Sequence, residues 1–330
     1  MTFDFEAVWR LAPWLLLILA AEFVNGWTDA PNAIATVVST RVMRPTHAVL
    51  MAAVLNAAGA FAGLEVAATI GKGIIRADVV DIQTVGAAMM GIVVWSTAAW
   101  YYGLPTSESH GLVAGLTGAA VATAGWDAVQ WEGWRKVLIG IVFSTFLGFF
   151  FGLFFMVGIL WICRRWHPGT VKKVFGRLQI LSAAFMAFSH GSNDGQKFIG
   201  VFTLALVLGG LLPEFAVPWW VIVLCAVTMG IGTAVGGWRI IKTMGLRLTK
   251  LEPVHGFAAE TSAGLTIMGA GAFGIPLSTT HTISTTIMGV GSTRGLSAVK
   301  WGVAGSIVGA WILTFPVCGI IAYITTRLVR

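Results

Sequence analysis

NGWTDAPNAIATV (Asn25–Val37) and HGSNDGQKFIGV (His190–Val201) decide how this sequence is read. Gly26, Asp29 and Ile34 of the first stretch recur as Gly191, Asp194 and Ile199 of the second, 165 residues on, half the 330-residue length. A second pair follows each in the same order: YGLPTSESHGL (Tyr102–Leu112) and FGIPLSTTHTI (Phe273–Ile283). There Gly103, Pro105, Ser107 and His110 match Gly274, Pro276, Ser278 and His281 at a spacing of 171. Two motifs repeated in one order mark an internal duplication.

Everything around these motifs is apolar. The chain is 57% hydrophobic and 11% charged, with a mean hydropathy of +0.84. A soluble domain has about 45–50% apolar and about 25% charged residues, so this is a polytopic membrane protein. Taking about 20 apolar residues per crossing, the spans are 9–25 with 30–40 (interrupted), 46–70, 83–102, 105–124 and 137–162. In the second half they are 178–190 with 195–212 (interrupted), 218–238, 254–273, 276–291 and 299–326. Residues 1–162 form a first repeat, 163–177 a basic cytoplasmic connection, and 178–330 a second repeat. The net charge of +7 marks topology rather than nucleic-acid binding, because the basic residues fall in short loops. With the N-terminus outside, thirteen Lys and Arg lie in inner loops and seven in outer ones. Lys197 sits in an apolar region. Cys163, Cys225 and Cys318 have no ligand spacing.

On this topology the first Asp motif follows a helix entering from outside and the second a helix entering from inside, so the repeats are inverted. The fold class is all-α, with two inverted-topology repeats, broken helices and paired re-entrant helical hairpins. Polar, Gly/Pro-broken segments at matching depths of inverted repeats point to a secondary transporter with a site near the bilayer midplane.

The motif chemistry suits an anion and a cation together. Gly-x-Pro followed by Ser or Thr places a helix N-terminus inside the membrane, where free N–H groups and the dipole favour an anion. Thr106, Ser107, Ser109, Ser278, Thr279 and Thr280 offer hydroxyls to a tetrahedral oxyanion, or they cap and back-bond kinked helices. Asp29 and Asp194 each cost roughly 2.5–3.5 kcal/mol at the bilayer centre. They are candidate Na⁺ ligands or proton carriers, with Asn25, Asn32 and Asn193 adding amide oxygens; the alternative is a static cap. Lys197 either pairs with Asp194 or attracts the anion.

Glu22, Glu108, His110 and His281 are candidates for a proton relay, and Glu260 has no counterpart in the first half. Trp126, Trp131, Trp134 and Trp219–Trp220 read as interface anchors against membrane lipid. No phosphate loop and no metal-spaced cluster is present, so the chain is not an enzyme and needs no cofactor beyond a coupling ion.

At these residues the sequence resembles the inorganic phosphate transporter (PiT) family, short prokaryotic members in particular. The G-x-N-D-x-x-N-A signature is matched by Gly26, Asp29, Asn32 and Ala33, with Thr28 where the pattern has Asn. Gly191-Ser192-Asn193-Asp194-Gly195-Gln196-Lys197 fits the second-repeat form. The P-x-S-x-S/T-H hairpins are matched by residues 105–110 and 276–281, with Glu108 in place of a small polar residue.

The resemblance implies phosphate import by Na⁺ or H⁺ symport across the cell (inner) membrane, with Gln196 and Lys197 beside the hairpin hydroxyls. It also implies a homodimer and, for some members, a cytoplasmic PhoU-like regulatory protein. Some relatives carry sulfate, and a phosphate-binding membrane sensor is a further reading. Charge arithmetic favours coupling: importing a divalent anion against about 100 mV costs about 4.6 kcal/mol, which two cations cancel.

Overall fold

The structure, a computed structural model, describes the backbone of residues 5–330 and side chains from Trp9 onward. The first four residues of the first repeat lie outside the described ones. Fourteen α-helices follow: α1 (Phe5–Thr28), α2 (Pro31–Ser39), α3 (Pro45–Gly59), α4 (Glu65–Gly73), α5 (Ile82–Tyr102), α6 (Glu108–Ala124) and α7 (Trp131–Val142). The second set comprises α8 (Gly148–Ile162), α9 (Pro168–Leu208), α10 (Trp219–Val235), α11 (Trp238–Lys242), α12 (Pro253–Ala272), α13 (Thr279–Ser292) and α14 (Trp301–Val329).

Among the described residues, four helical runs are long and apolar enough to cross a membrane: Trp9–Ser39, Ile82–Tyr102, Trp131–Ile162 and Trp301–Val329. A fifth, Trp219–Val235 with Trp238–Arg247, is bent by 60° at Gly236–Gly237. Large apolar side chains such as Phe146, Phe150 and Phe154, and Ile312, Leu313 and Ile320 on α14, face outward where lipid covers them.

The first Asp motif breaks its helix as expected, and the second does not. Pro31 opens α2 two residues beyond Asp29; lacking an N–H, it cannot continue the ladder of α1. The matching position in the second copy is Gln196, which can, so α9 runs unbroken through His190–Lys197. The interruption read between 190 and 195 is therefore corrected to a continuous helix. Most of the basic stretch 163–177 is helical, because Pro168 already opens α9. Hydropathy hides two further differences, a break and a helix. Residues 46–70 are not one span but α3 and α4 with a bend between them, and the basic stretch after 238 is helical rather than a loop.

The halves interlock. α1 packs on α10 and α3 on α9; α6 packs on α14 and α13 on α8; α5 packs on α1 and α12 on α9. Small bridges recur too, Ile75 with Val129 and Thr249 with Val299. Each hairpin turns on a glycine in the left-handed region, Gly103 (φ +68°) and Gly274 (φ +64°), where a side chain would be strained. The carbonyl of each turn glycine is held by a threonine from the far half: Thr243 donates to Gly103 and Thr69 to Gly274, both at 2.8 Å. Thr69→Ala and Thr243→Ala should each lower stability by about 0.6 kcal/mol, the mean for such bonds in a membrane. Thermal unfolding in detergent checks this.

Candidate functional site

The hairpin tips meet. Ser107 and Ser278 cap α6 and α13, accepting from the backbone N–H of His110 (3.3 Å) and His281 (3.2 Å). This is the capping role weighed from sequence, and it fixes two helix starts side by side. Two residues on, Ser109 donates to the Leu277 carbonyl at 2.9 Å and Thr280 lies 2.7 Å from the Thr106 carbonyl. These two bonds are the same contact made twice, once from each half. The Thr106 side chain is buried, and its backbone oxygen carries the contact.

Both aspartates lie against these tips. Asp29 accepts from Asn32 and lies 3.2 Å from the Thr279 hydroxyl and 2.5 Å from that of Thr280, whose one hydrogen is shared between Asp29 and the Thr106 carbonyl. Asp194 accepts from Thr279 (3.0 Å), Asn193 (2.8 Å) and Lys197. Thr279 thus bridges the two carboxylates. Asn193 also donates to the Leu277 carbonyl at 3.0 Å. The side chains of Asp29, Asp194 and Lys197 are at most 2% exposed.

His190, which the sequence reading did not single out, completes the cluster. It lies one helical turn before Asp194, and its Nε2 is 3.5 Å from Asp194 Oδ2 and 3.9 Å from Asp29 Oδ2. Its tautomer follows from its surroundings. Thr233 donates to the Met229 carbonyl and so accepts from Asn56 Nδ2 at 3.3 Å. That turns Asn56 Oδ1 toward His190 Nδ1 at 3.0 Å, making Nδ1 the donor. In the neutral ring Nε2 then presents a lone pair to two carboxylates, and it has no hydrogen-bond partner.

Ligand atoms of Asp29, His190 and Asp194 all lie within 4.8 Å of one another, the spacing of a cation site. Unpartnered amide oxygens of Asn32 and Asn193, whose nitrogens bond Asp29 and Asp194, add to the surplus of acceptors. With both carboxylates ionised and the His190 ring neutral, the single ammonium of Lys197 leaves one negative charge for a bound cation to balance. The sequence signal for His190 is a polar residue at i−4 from Asp194, but the repeat does not mark it as a histidine, because its counterpart is Asn25.

The remaining expected residues lie around this cluster rather than in it. Gln196 accepts from the Val66 N–H at 3.0 Å and so caps the start of α4, not the hairpin tips. Asn25 donates to Glu22 at 3.1 Å. Glu108 accepts from Thr28 (2.8 Å) and Ser96 (2.7 Å). His110 and His281 stack edge to face at 4.5 Å, between Phe315 and Trp311, and neither contacts a carboxylate. Glu260 forms a separate buried cluster with Thr36, Ser182 and Gln179.

The sequence and the fold match those of known proteins. The model of the phosphate transporter family matches residues 25–322. The chain belongs to that family. A probable low-affinity inorganic phosphate transporter of Rhizobium meliloti (strain 1021) is 44% identical over 310 residues, covering 93% of each chain. One of Bacillus subtilis (strain 168) is 37% identical over 326 residues, covering 96% of each. A solved structure of a sodium-dependent phosphate transporter superposes with a TM-score of 0.84 at 24% identity, covering 97% of this chain and 98% of that one. The fold is therefore that of a multi-pass, all-helical transporter, and the chain is not an enzyme.

Proposed function

We propose that this protein imports inorganic phosphate together with a cation, Na⁺ or H⁺, by alternating access between two inverted repeats, 1–162 and 178–330. In this reading the N-terminus faces outward. The observation that carries it is the meeting of Asp29, His190 and Asp194 against two paired hairpin tips. An anion at the tips and a carboxylate pair beneath them repel each other unless a cation lies between, so each ligand raises the affinity for the other. The free backbone N–H groups of the helix starts capped by Ser107 and Ser278 form the oxyanion side, and the hydroxyls of Ser109, Thr279 and Thr280, bonded to protein acceptors in this state, turn to the anion when it enters. Asp29, Asp194 and His190 form the cation side. The cluster is closed to solvent, which fits a gated carrier better than an open pore.

Phosphate is favoured over sulfate by the named substrate of the relatives and by one chemical difference. At neutral pH phosphate retains a proton to donate to a carboxylate, and sulfate does not. The test is uptake of ³²P-phosphate by proteoliposomes under an inward Na⁺ gradient, an inward H⁺ gradient, or neither, with excess unlabelled sulfate. Accumulation under one gradient that resists sulfate is the expected result. Uptake abolished by sulfate makes the protein a sulfate or broad oxyanion carrier, and binding without uptake makes it a sensor.

A further inference from the structure

The two halves of the site are built from the same four elements, with one substitution of consequence. Asp29, Asn32, Thr280 and the Thr106 carbonyl make one half-site; Asp194, Lys197, Ser109 and the Leu277 carbonyl make the other. They correspond residue by residue at the motif spacings of 165 and 171. In the first, Asn32 Nδ2 donates to Asp29 and to Thr280 (3.0 Å), while its own Oδ1 has no partner. In the second, Lys197 Nζ donates to Asp194, to Ser109 (2.5 Å) and to the Leu277 carbonyl (2.9 Å). An ammonium has three donors, and here all three are used by the protein.

A carboxylate, a hydroxyl and a carbonyl converging on one positive centre are the ligand types of a small monovalent cation, and Lys197 occupies their focus. We infer that Lys197 is a tethered cation that permanently fills one of two equivalent half-sites. The mobile coupling ion is thereby confined to the Asp29 side, and one fewer ion is carried per phosphate. This rests on the symport reading above. It also gives Lys197 a role other than gripping the anion, because in this state it has no donor left. The tethered charge balances Asp194 but stays with the protein, so it contributes nothing to the driving force.

The test is the cation-to-phosphate ratio, read in proteoliposomes as the clamped voltage at which net phosphate flux is zero under fixed gradients. Lys197→Asn gives the second half-site the amide of the first, and the ratio is expected to rise by one, with a steeper dependence of uptake on cation concentration. The exchange variant, Asn32→Lys with Lys197→Asn, keeps the net charge and moves the tether across, and the wild-type ratio is expected to return. An unchanged ratio in transporting Lys197→Asn overturns the inference. If Lys197→Asn does not fold, the exchange variant decides alone: the wild-type ratio supports the inference, and a folded variant with a different ratio or without coupled uptake overturns it. Failure of the wild type to accumulate phosphate under any cation gradient counts instead against the transport reading, and is seen before either variant is made.

Discussion

Asp29→Asn and Asp194→Asn should both lose gradient-driven phosphate uptake, and they should differ in stability. Each carboxylate accepts several hydrogen bonds, two of them from the tip of α13 in the case of Asp29. Bonds to a charged group are worth about 1.5–3 kcal/mol each. Losing them at the step that draws cation and anion together should lower uptake by about 100-fold or more. Asp194→Asn also strands the Lys197 ammonium, which is 1% exposed. Breaking a buried pair from one side costs about 3–5 kcal/mol, so this variant should unfold at a distinctly lower temperature. Asp29→Asn leaves the Asp194–Lys197 pair intact, and should unfold closer to the wild-type temperature. Uptake assays and thermal unfolding on the same preparations check both claims. Full gradient-driven uptake in both variants would falsify the assignment.

Gly191→Ala should abolish transport from outside the ion cluster. At the crossing of α3 and α9, a Cβ on Gly191 would lie 2.0 Å from the Asn56 carbonyl oxygen, and one on Gly59 would lie 2.2 Å from that of Phe188. These contacts are backbone against backbone, so the helices themselves must separate. Overpacking of this kind costs about 1–3 kcal/mol. Its functional effect should exceed that figure, because Asn56 is the residue that fixes the His190 ring. Gly158→Ala on α8 is the control, since a Cβ there meets nothing within 4 Å. The expected outcome is normal uptake for Gly158→Ala and loss for Gly191→Ala. Equal activity of the two would show that the α3–α9 approach does not position the site.

Much of this site was legible because its chemistry is costly in a membrane. Aspartates, asparagines and Gly-Pro-Ser turns stand out in so apolar a chain, and their recurrence exposed the repeat. Four features were hidden for identifiable reasons. The break expected at Asp194 depended on residue type at one position, Pro31 in one copy and Gln196 in the other. The helical Trp238–Arg247 segment carries Arg239, Lys242 and Arg247, and hydropathy treats such a stretch as a loop. The division of labour among hydroxyls is set by cap geometry: Ser107 and Ser278 bond the backbone, while residues one or two positions on, Ser109, Thr279 and Thr280, face the carboxylates or the opposite tip. Spacing alone does not separate these roles. His190 was hidden by the comparison that revealed Asp194.

The central claim is that the cation gradient does work on the anion. The direct measurement loads proteoliposomes with phosphate at the same concentration inside and out, imposes an inward cation gradient, and follows net phosphate movement. The account predicts inward accumulation above the external concentration, collapsing when an ionophore dissipates the gradient. Phosphate that exchanges across the membrane but stays equal on both sides, whatever cation gradient is imposed, would contradict it.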